Sequence, residues 1–233
     1  MTIEQNLNKV NQLLQDAIEE ANRTVNSVTL LAVSKAQKIN NIGEAYAAGQ
    51  KAFGESYVQE AVDKIQALRE YDIEWHFIGP IQSNKTRDIA QHFDWVQSVD
   101  RLKIARRLNE QRPEELAPLN ICVQVDLFAE SSKQGATTEE LKSLLDYVCD
   151  APRLNLKGIM AIPPKQQDTA QQLKQFEQIS QLFLDYQHQY PSLTTLSMGM
   201  SQDMTAAIAA GSTMVRVGTG IFGPRPANWK QQI

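Results

Sequence analysis

The sequence predicts a (β/α)8 barrel of the α/β class, and three observations predict it. Eight short β-rich runs alternate with helical periods, the pattern that gives a parallel sheet covered by helices. The 233 residues suit one barrel, a fold that typically takes about 250. No long linker or low-complexity tract interrupts the chain, so residues 1–233 read as one domain.

The first segment, MTIEQNLNKVNQLLQDAIEEA, sets Ile3, Leu7, Val10, Leu13, Leu14 and Ile18 at helical spacing, an extra amphipathic helix ahead of the barrel. The strands follow as TLLAVSK (29–35), KAFGE (51–55), EWHFIG (74–79), DWVQSV (94–99), NICVQVDL (120–127), LKGIMAI (156–162), TLSMGM (195–200) and TMVRVGT (213–219). Helical patterns over 39–49, 56–69, 83–91, 100–111, 137–149, 167–188 and 202–210 separate them. Eight strands with intervening helices fit a closed barrel better than an open sheet.

Composition excludes several classes. A net charge of −4 and a pI near 5.5 provide no broad basic surface, which argues against nucleic acid as a partner. The basic residues between Arg101 and Arg107 read as a solvated helix face. The N-terminal stretch lacks the basic start and apolar core of a secretory signal, and no run approaches the roughly 18 apolar residues of a membrane span. Cys122 and Cys149 read as buried free thiols, and His92 and His188 as surface residues. With no H-E-x-x-H, C-x-x-C or G-x-S-x-G, neither a metal site nor a serine nucleophile elbow stands out. The expected location is the cytoplasm.

Alternate residues of a strand face opposite sides, which sorts the candidate chemistry. In the last strand Val215 and Val217 suit the helix layer, so Met214, Arg216 and Gly218 point inward. In the first strand Leu31, Val33 and Lys35 share a side, and Lys35 closes the row. In the third, Glu74, His76 and Ile78 face in, His76 reading first as a satisfied core imidazole. Polar groups thus gather inside near the strand C-termini, where barrel enzymes keep their sites. Desolvation of a lysine there makes its neutral, nucleophilic form available, which suits an imine with an aldehyde. Arg216 needs an acceptor, and a phosphate, a pyridine nitrogen or a carboxylate such as Asp126 or Glu74 would serve.

Two segments read as phosphate grips. VGTGIFG (217–223) contains G-x-G-x-x-G, yet a dinucleotide site needs a helix after it, and PRPANWKQQI opens with prolines that oppose one. The glycines still allow close backbone approach, with Gly218 and Gly220 flanking the Thr219 hydroxyl. Ser201 directly precedes a helical stretch as N-cap and can face an anion. The two segments follow strands seven and eight, the usual phosphate location in barrels. On these residues alone, an aldolase acting on a sugar phosphate through an imine is also open.

AVSKAQ, FGESYVQEA, WHFIGPIQSNK and SMGMSQDMTAAIAAGSTMVRVGTGIFG together resemble the pyridoxal phosphate homeostasis proteins, single-domain relatives of the alanine racemase N-terminal barrel. The resemblance spans about residues 5 to 225. It implies an alanine racemase N-terminal-domain-like barrel without the C-terminal β domain, carrying pyridoxal 5'-phosphate with Lys35 as the Schiff-base lysine. Ser201, Gly218 and Thr219 would bind the phosphate, Arg216 would lie near the ring nitrogen or the phosphate, and Ser56, His76 and Met200 are further candidates for cofactor contact. Ser56 departs from the family's usual Asn, replacing an amide by a shorter hydroxyl. Without the second domain, the base opposite Lys35 that a racemase requires has no assigned residue. The resemblance therefore implies a monomeric, non-catalytic holder of the cofactor that supplies pyridoxal phosphate-dependent apoenzymes, with a weak monomeric amino-acid racemase as the alternative.

Overall fold

The computed structural model describes residues 1–128 and 135–224. Its strands are β1 Thr29–Val33, β2 Ala52–Glu55, β3 Glu74–Phe77, β4 Trp95–Val99, β5 Leu119–Val125, β6 Leu154–Ala161, β7 Thr195–Met200 and β8 Met214–Val217. Each pairs in parallel with the next, and β8 pairs with β1, closing an eight-stranded barrel. The helices are α1 Ile3–Glu20, α2 Ile39–Ala47, α3 Val58–Ala67, α4 Thr86–His92, α5 Leu102–Gln111, α6 Thr138–Asp150, α7 Thr169–Gln187, α8 Met204–Ala209 and α9 Thr219–Phe222. A 3-10 turn over Ser83–Lys85 precedes α4. Residues 129–134 and the tail after Pro224 lie outside the described residues.

The main core lies between strands and helices, because the outward residue of each strand meets an apolar helix stripe. Leu31, Ala52 and Met214 form a smaller cluster inside the barrel, so the alternation read from β1 and β8 holds. α1 starts from a capping box: Gln5 N donates to Thr2 Oγ1 (3.2 Å) and Thr2 N donates to Gln5 Oε1 (3.0 Å). It buries Leu7, Val10, Leu14, Ala17 and Ile18 against α8, α9 and α2. Since α9 is a single turn, α1 takes the place of the helix that would cover β8. The helix expected as an addition to the barrel is therefore part of its outer ring.

Four sequence expectations change. The first strand ends at Val33, and Lys35 lies in the following turn, because Ser34 and Ala36 are hydrogen-bonded to side chains of β2 and α3. Of the polar groups inside, Glu74 opens β3 at its N-terminal end, away from the strand ends that Lys35 follows, and His76, the third residue of β3, is hydrogen-bonded to it. Arg107 is only partly solvated: its Nε donates to Ser83 O (2.9 Å) and Thr86 Oγ1 (3.0 Å), tying α5 to the start of α4. Cys149 is exposed on α6, whereas Cys122 is fully buried in β5.

Burial pushes the Cys122 thiol up to about 12, with the Arg216 charge opposing it. Thiolate is the reactive form, so a disulfide reagent at pH 8 is expected to titrate Cys149 alone in the native protein and both cysteines after unfolding. Absorbance of the released thiol measures this, and rapid native reaction at both positions would contradict the burial.

Candidate functional site

Lys35 and the two phosphate-grip segments meet at the C-terminal mouth of the barrel. Lys35 is half-buried in the turn after β1. β8 is hydrogen-bonded to β1, with Ala32 opposite Val217, so Gly218 follows directly beside Val33. A Cβ on Gly218 would lie 3.2 Å from Val33 O and 3.4 Å from Val33 Cβ, closer than most side chains tolerate. This packing, rather than an unusual dihedral, requires the glycine.

A single helical turn, α9, lies inside the G-x-G-x-x-G pattern, and the segment after Pro224, where the prolines are expected to oppose a helix, lies outside the described residues. Gly218 is the N-cap of α9, and Gly223 at φ 78° ends it before Pro224. The N–H groups of Thr219 and Gly220 open this turn and have no acceptor within it. Asn6 of α1 donates through Nδ2 to Ile221 O (2.9 Å) and fixes the far end. A Cβ on Gly220 would meet Val217 Cγ1 at 3.0 Å and Val10 Cγ2 at 3.4 Å.

Ser201 is not an N-cap. α8 starts three residues later, at Met204, after the N-cap Asp203, and Asp203 Oδ1 accepts from Met200 N (2.5 Å). The exposed Ser201 turns its Oγ toward Gly220, 3.8 Å from the Cβ position there. The two segments thus converge, for a reason other than helix capping. They border a cavity of about 480 Å³ whose wall includes Asn6, Lys9, Ser201, Thr219, Gly220 and Gly223. Among the described residues no carboxylate lines it. Two hydroxyls, free N–H groups, a lysine and no negative side chain fit an anionic tetrahedral group.

Beneath the mouth, Arg216 is buried and satisfied by uncharged groups. Its Nη1 donates to Ser197 O (2.8 Å) and Ser197 Oγ (2.7 Å), and Nη2 to Ala161 O (3.0 Å). These partners take the place of the internal ion pair with Asp126 or Glu74, and Glu74 accepts from His76 instead. Burial lowers the guanidinium to about 10, with Asp203 and Cys122 opposing.

Arg216 heads a chain of hydrogen bonds with one polarity. Ser197 Oγ donates to Gln97 Oε1 (2.7 Å), Gln97 Nε2 to His76 Nδ1 (2.9 Å), and His76 Nε2 to Glu74 Oε1 (2.8 Å). The cation is at the mouth end and the carboxylate at the other, with His76 stacked 5.2 Å from the Trp95 ring. The His76 bond holds the Glu74 carboxyl below its usual range. Both nitrogens of His76 are engaged in this chain, and Gln97 and Ser197 connect it to Arg216. Met200, opposite Arg216 in the β7–β8 register, is exposed at the rim, and Ser56 is buried just after β2.

Gln97, Ser197, Glu55, Glu60 and Lys64 were not singled out in the sequence. Their signals are nonlocal, except for one: Lys64 falls three residues after Ala61 on the buried stripe of α3, where a lysine requires a partner.

The chain matches the family described as "Alanine racemase, N-terminal domain" over residues 11–226. It is 51% identical over 228 residues to the pyridoxal phosphate homeostasis protein of Vibrio alginolyticus, covering 96% of this chain and 98% of that one. The protein of the same name from Escherichia coli K12 is 50% identical over 226 residues, covering 96% and 97%. Among solved structures, PipY of Synechococcus elongatus PCC7942 with PLP bound superposes with a TM-score of 0.84 at 36% identity, covering 95% of this chain and 100% of that one. Alanine racemase from Corynebacterium glutamicum gives 0.70 at 16% identity, covering 95% and 61%, a likeness of fold alone.

Proposed function

The chain belongs to the alanine racemase N-terminal domain family, among the pyridoxal phosphate homeostasis proteins, and we propose that Lys35 and the cradle beside it hold pyridoxal 5'-phosphate. The observation that carries this is that the turn holding half-buried Lys35 follows β1 beside Gly218, whose neighbours Thr219 and Gly220 line, with Ser201, a cavity without carboxylates among the described residues. When bound, pyridoxal phosphate supplies an aldehyde that condenses reversibly with an amine, releasing water. Lys35 is that amine, and Ser201, Gly218 and Thr219 grip the phosphate. Arg216 would supply a cation to the cofactor, and Ser56 and Met200 would be further contacts. His76 contributes through the chain to Arg216.

The protein holds the cofactor and releases it, buffering pyridoxal phosphate and so amino-acid and keto-acid balance. We read it as one domain over residues 1–233, a cytoplasmic monomer without catalytic turnover that delivers to pyridoxal phosphate-dependent apoenzymes. No helix among the described residues is long and apolar enough to cross a membrane. Arg216 supports a holding role: it donates hydrogen bonds but supplies no ready proton, so a ring nitrogen beside it stays unprotonated and the ring is a poor electron sink.

The purified protein is expected to carry a visible absorption band that borohydride abolishes, with the reduced adduct mapping to Lys35. Lys35→Ala is expected to be colourless even after addition of pyridoxal phosphate. A parent protein that remains colourless with added cofactor overturns the reading. Solvent deuterium incorporation at the α-carbon of amino acids, above that of free cofactor, would restore the racemase.

A further inference from the structure

Lys64 of α3 is buried in contact with two carboxylates. Its Nζ donates to Glu55 Oε1 (2.8 Å) of β2, to Glu60 Oε1 (2.5 Å) one helical turn earlier, and to the backbone Ser34 O (2.8 Å). The same oxygens reach the turn after β1: Ser34 Oγ donates to Glu55 Oε1 (2.6 Å), and Ala36 N donates to Glu60 Oε1 (2.8 Å). Ser34 and Ala36 are the two neighbours of Lys35. The cluster therefore grips the backbone on either side of the lysine.

That backbone needs a grip. Ala36 has φ 60°, in the left-handed region that residues with a Cβ enter only at a cost. Gly is the usual solution, and here an alanine is held by a hydrogen bond from its N–H to a carboxylate. The cluster is itself expensive, since two carboxylates share one ammonium, Glu55 and Lys64 are almost fully buried, and the second oxygens of Glu55 and Glu60 have no partner among the described residues. Burial raises the Glu55 carboxyl despite Lys64. An apolar cluster would join α3 to the barrel at less cost, but it could not bind Ser34 O and Ala36 N.

We propose that Glu60 and Lys64, with Glu55, are positioning residues that keep Ala36 left-handed and thereby hold the Lys35 amine toward the phosphate cradle. This rests on the reading of Lys35 as the amine that captures pyridoxal phosphate. Glu60 sits outside the cradle, so the grip acts on the covalent partner and leaves phosphate binding alone.

The test uses two ligands: pyridoxal 5'-phosphate, and pyridoxine 5'-phosphate, which has the phosphate but no aldehyde. Glu60→Ala is the first variant because its side chain is 18% exposed, against 4% for Lys64. Capture of pyridoxal phosphate, followed by the visible band, is expected to weaken about tenfold or more in Glu60→Ala, as misplacement of a reacting group implies. Affinity for pyridoxine 5'-phosphate, followed by competition, is expected to stay within about threefold. Adding Ala36→Gly, which admits the left-handed conformation without strain, is expected to recover most of the capture. Equal weakening for both ligands, unchanged capture, or no recovery with glycine would overturn the proposal. A parent protein that forms no band, or forms it at another lysine, would instead defeat the reading of Lys35 and is told apart by the peptide map.

Discussion

Gly158→Ala is expected to lower the thermal midpoint by roughly 6–12 °C, equivalent to about 3 kcal/mol for a chain of this size. Gly158 lies in β6 between Cys122 of β5 and Thr195 of β7. A Cβ there would fall 2.0 Å from Thr195 O and 2.8 Å from Thr195 Cβ, distances that only a backbone shift can relieve. In a closed barrel such a shift passes to the next strands, and here the neighbouring pair β5–β6 already changes register between Ile121 and Cys122. Ser197, two residues after Thr195, holds Arg216, so the strain reaches the floor of the site. The control is Gly43→Ala in α2, where a Cβ meets nothing within 4 Å and alanine's helix propensity is expected to add about 0.5–1 kcal/mol. Melting curves of both variants decide the matter: a Gly158→Ala midpoint within about 2 °C of the parent would contradict the close contact.

The fold was legible because its signals are local. Every strand segment was found by its β-rich run, and α3, α5, α6 and α7 by apolar spacing, with ends displaced by a few residues. The first strand was drawn to Lys35 because SK continues an apolar alternation, while the groups that end it come from Glu55 and Glu60, about 20 and 25 positions away. The role of α1 is hidden similarly, since a helix at the start of the chain reveals its amphipathic face but not that it packs against α8 and α9 at the end. The site was legible by residue type more than by mechanism. Ser201 reads as a helix cap in the sequence, yet it reaches Gly220 from a turn before the cap. Arg216 was placed inside by the Val215 and Val217 alternation, but its partners Ser197 and Ala161 lie on other strands. The carriers of the arginine's environment, Gln97 and His76, look like ordinary strand residues until closure of the barrel brings them together.

Arg216→Met is expected to cost about 2–4 kcal/mol of stability. Methionine fills similar space but donates nothing, so Ser197 O and Ala161 O lose buried donors, each loss costing about 1–3 kcal/mol. Removing a buried cation returns part of this, because desolvation is what lowers the guanidinium to about 10. The pH dependence separates the two terms. A base whose folded value lies below its ordinary one binds its proton less tightly when folded, so parent stability gains as pH rises above about 10. Methionine has no such gain, and the stability gap between parent and variant is expected to widen above about pH 10. Ser197→Ala removes the hydroxyl that accepts from Arg216 and donates to Gln97, so its effect is expected to be less than additive with Arg216→Met. Denaturant titrations of the four proteins at pH 8 and 10.5 measure both effects. Lys35 follows β1 and Arg216 makes its hydrogen bonds to β6 and β7, so on the proposed reading Arg216→Met is expected to keep the borohydride-sensitive band while moving its position. Loss of the band with stability unchanged would instead make Arg216 part of the cofactor's grip rather than a clasp joining β6, β7 and β8.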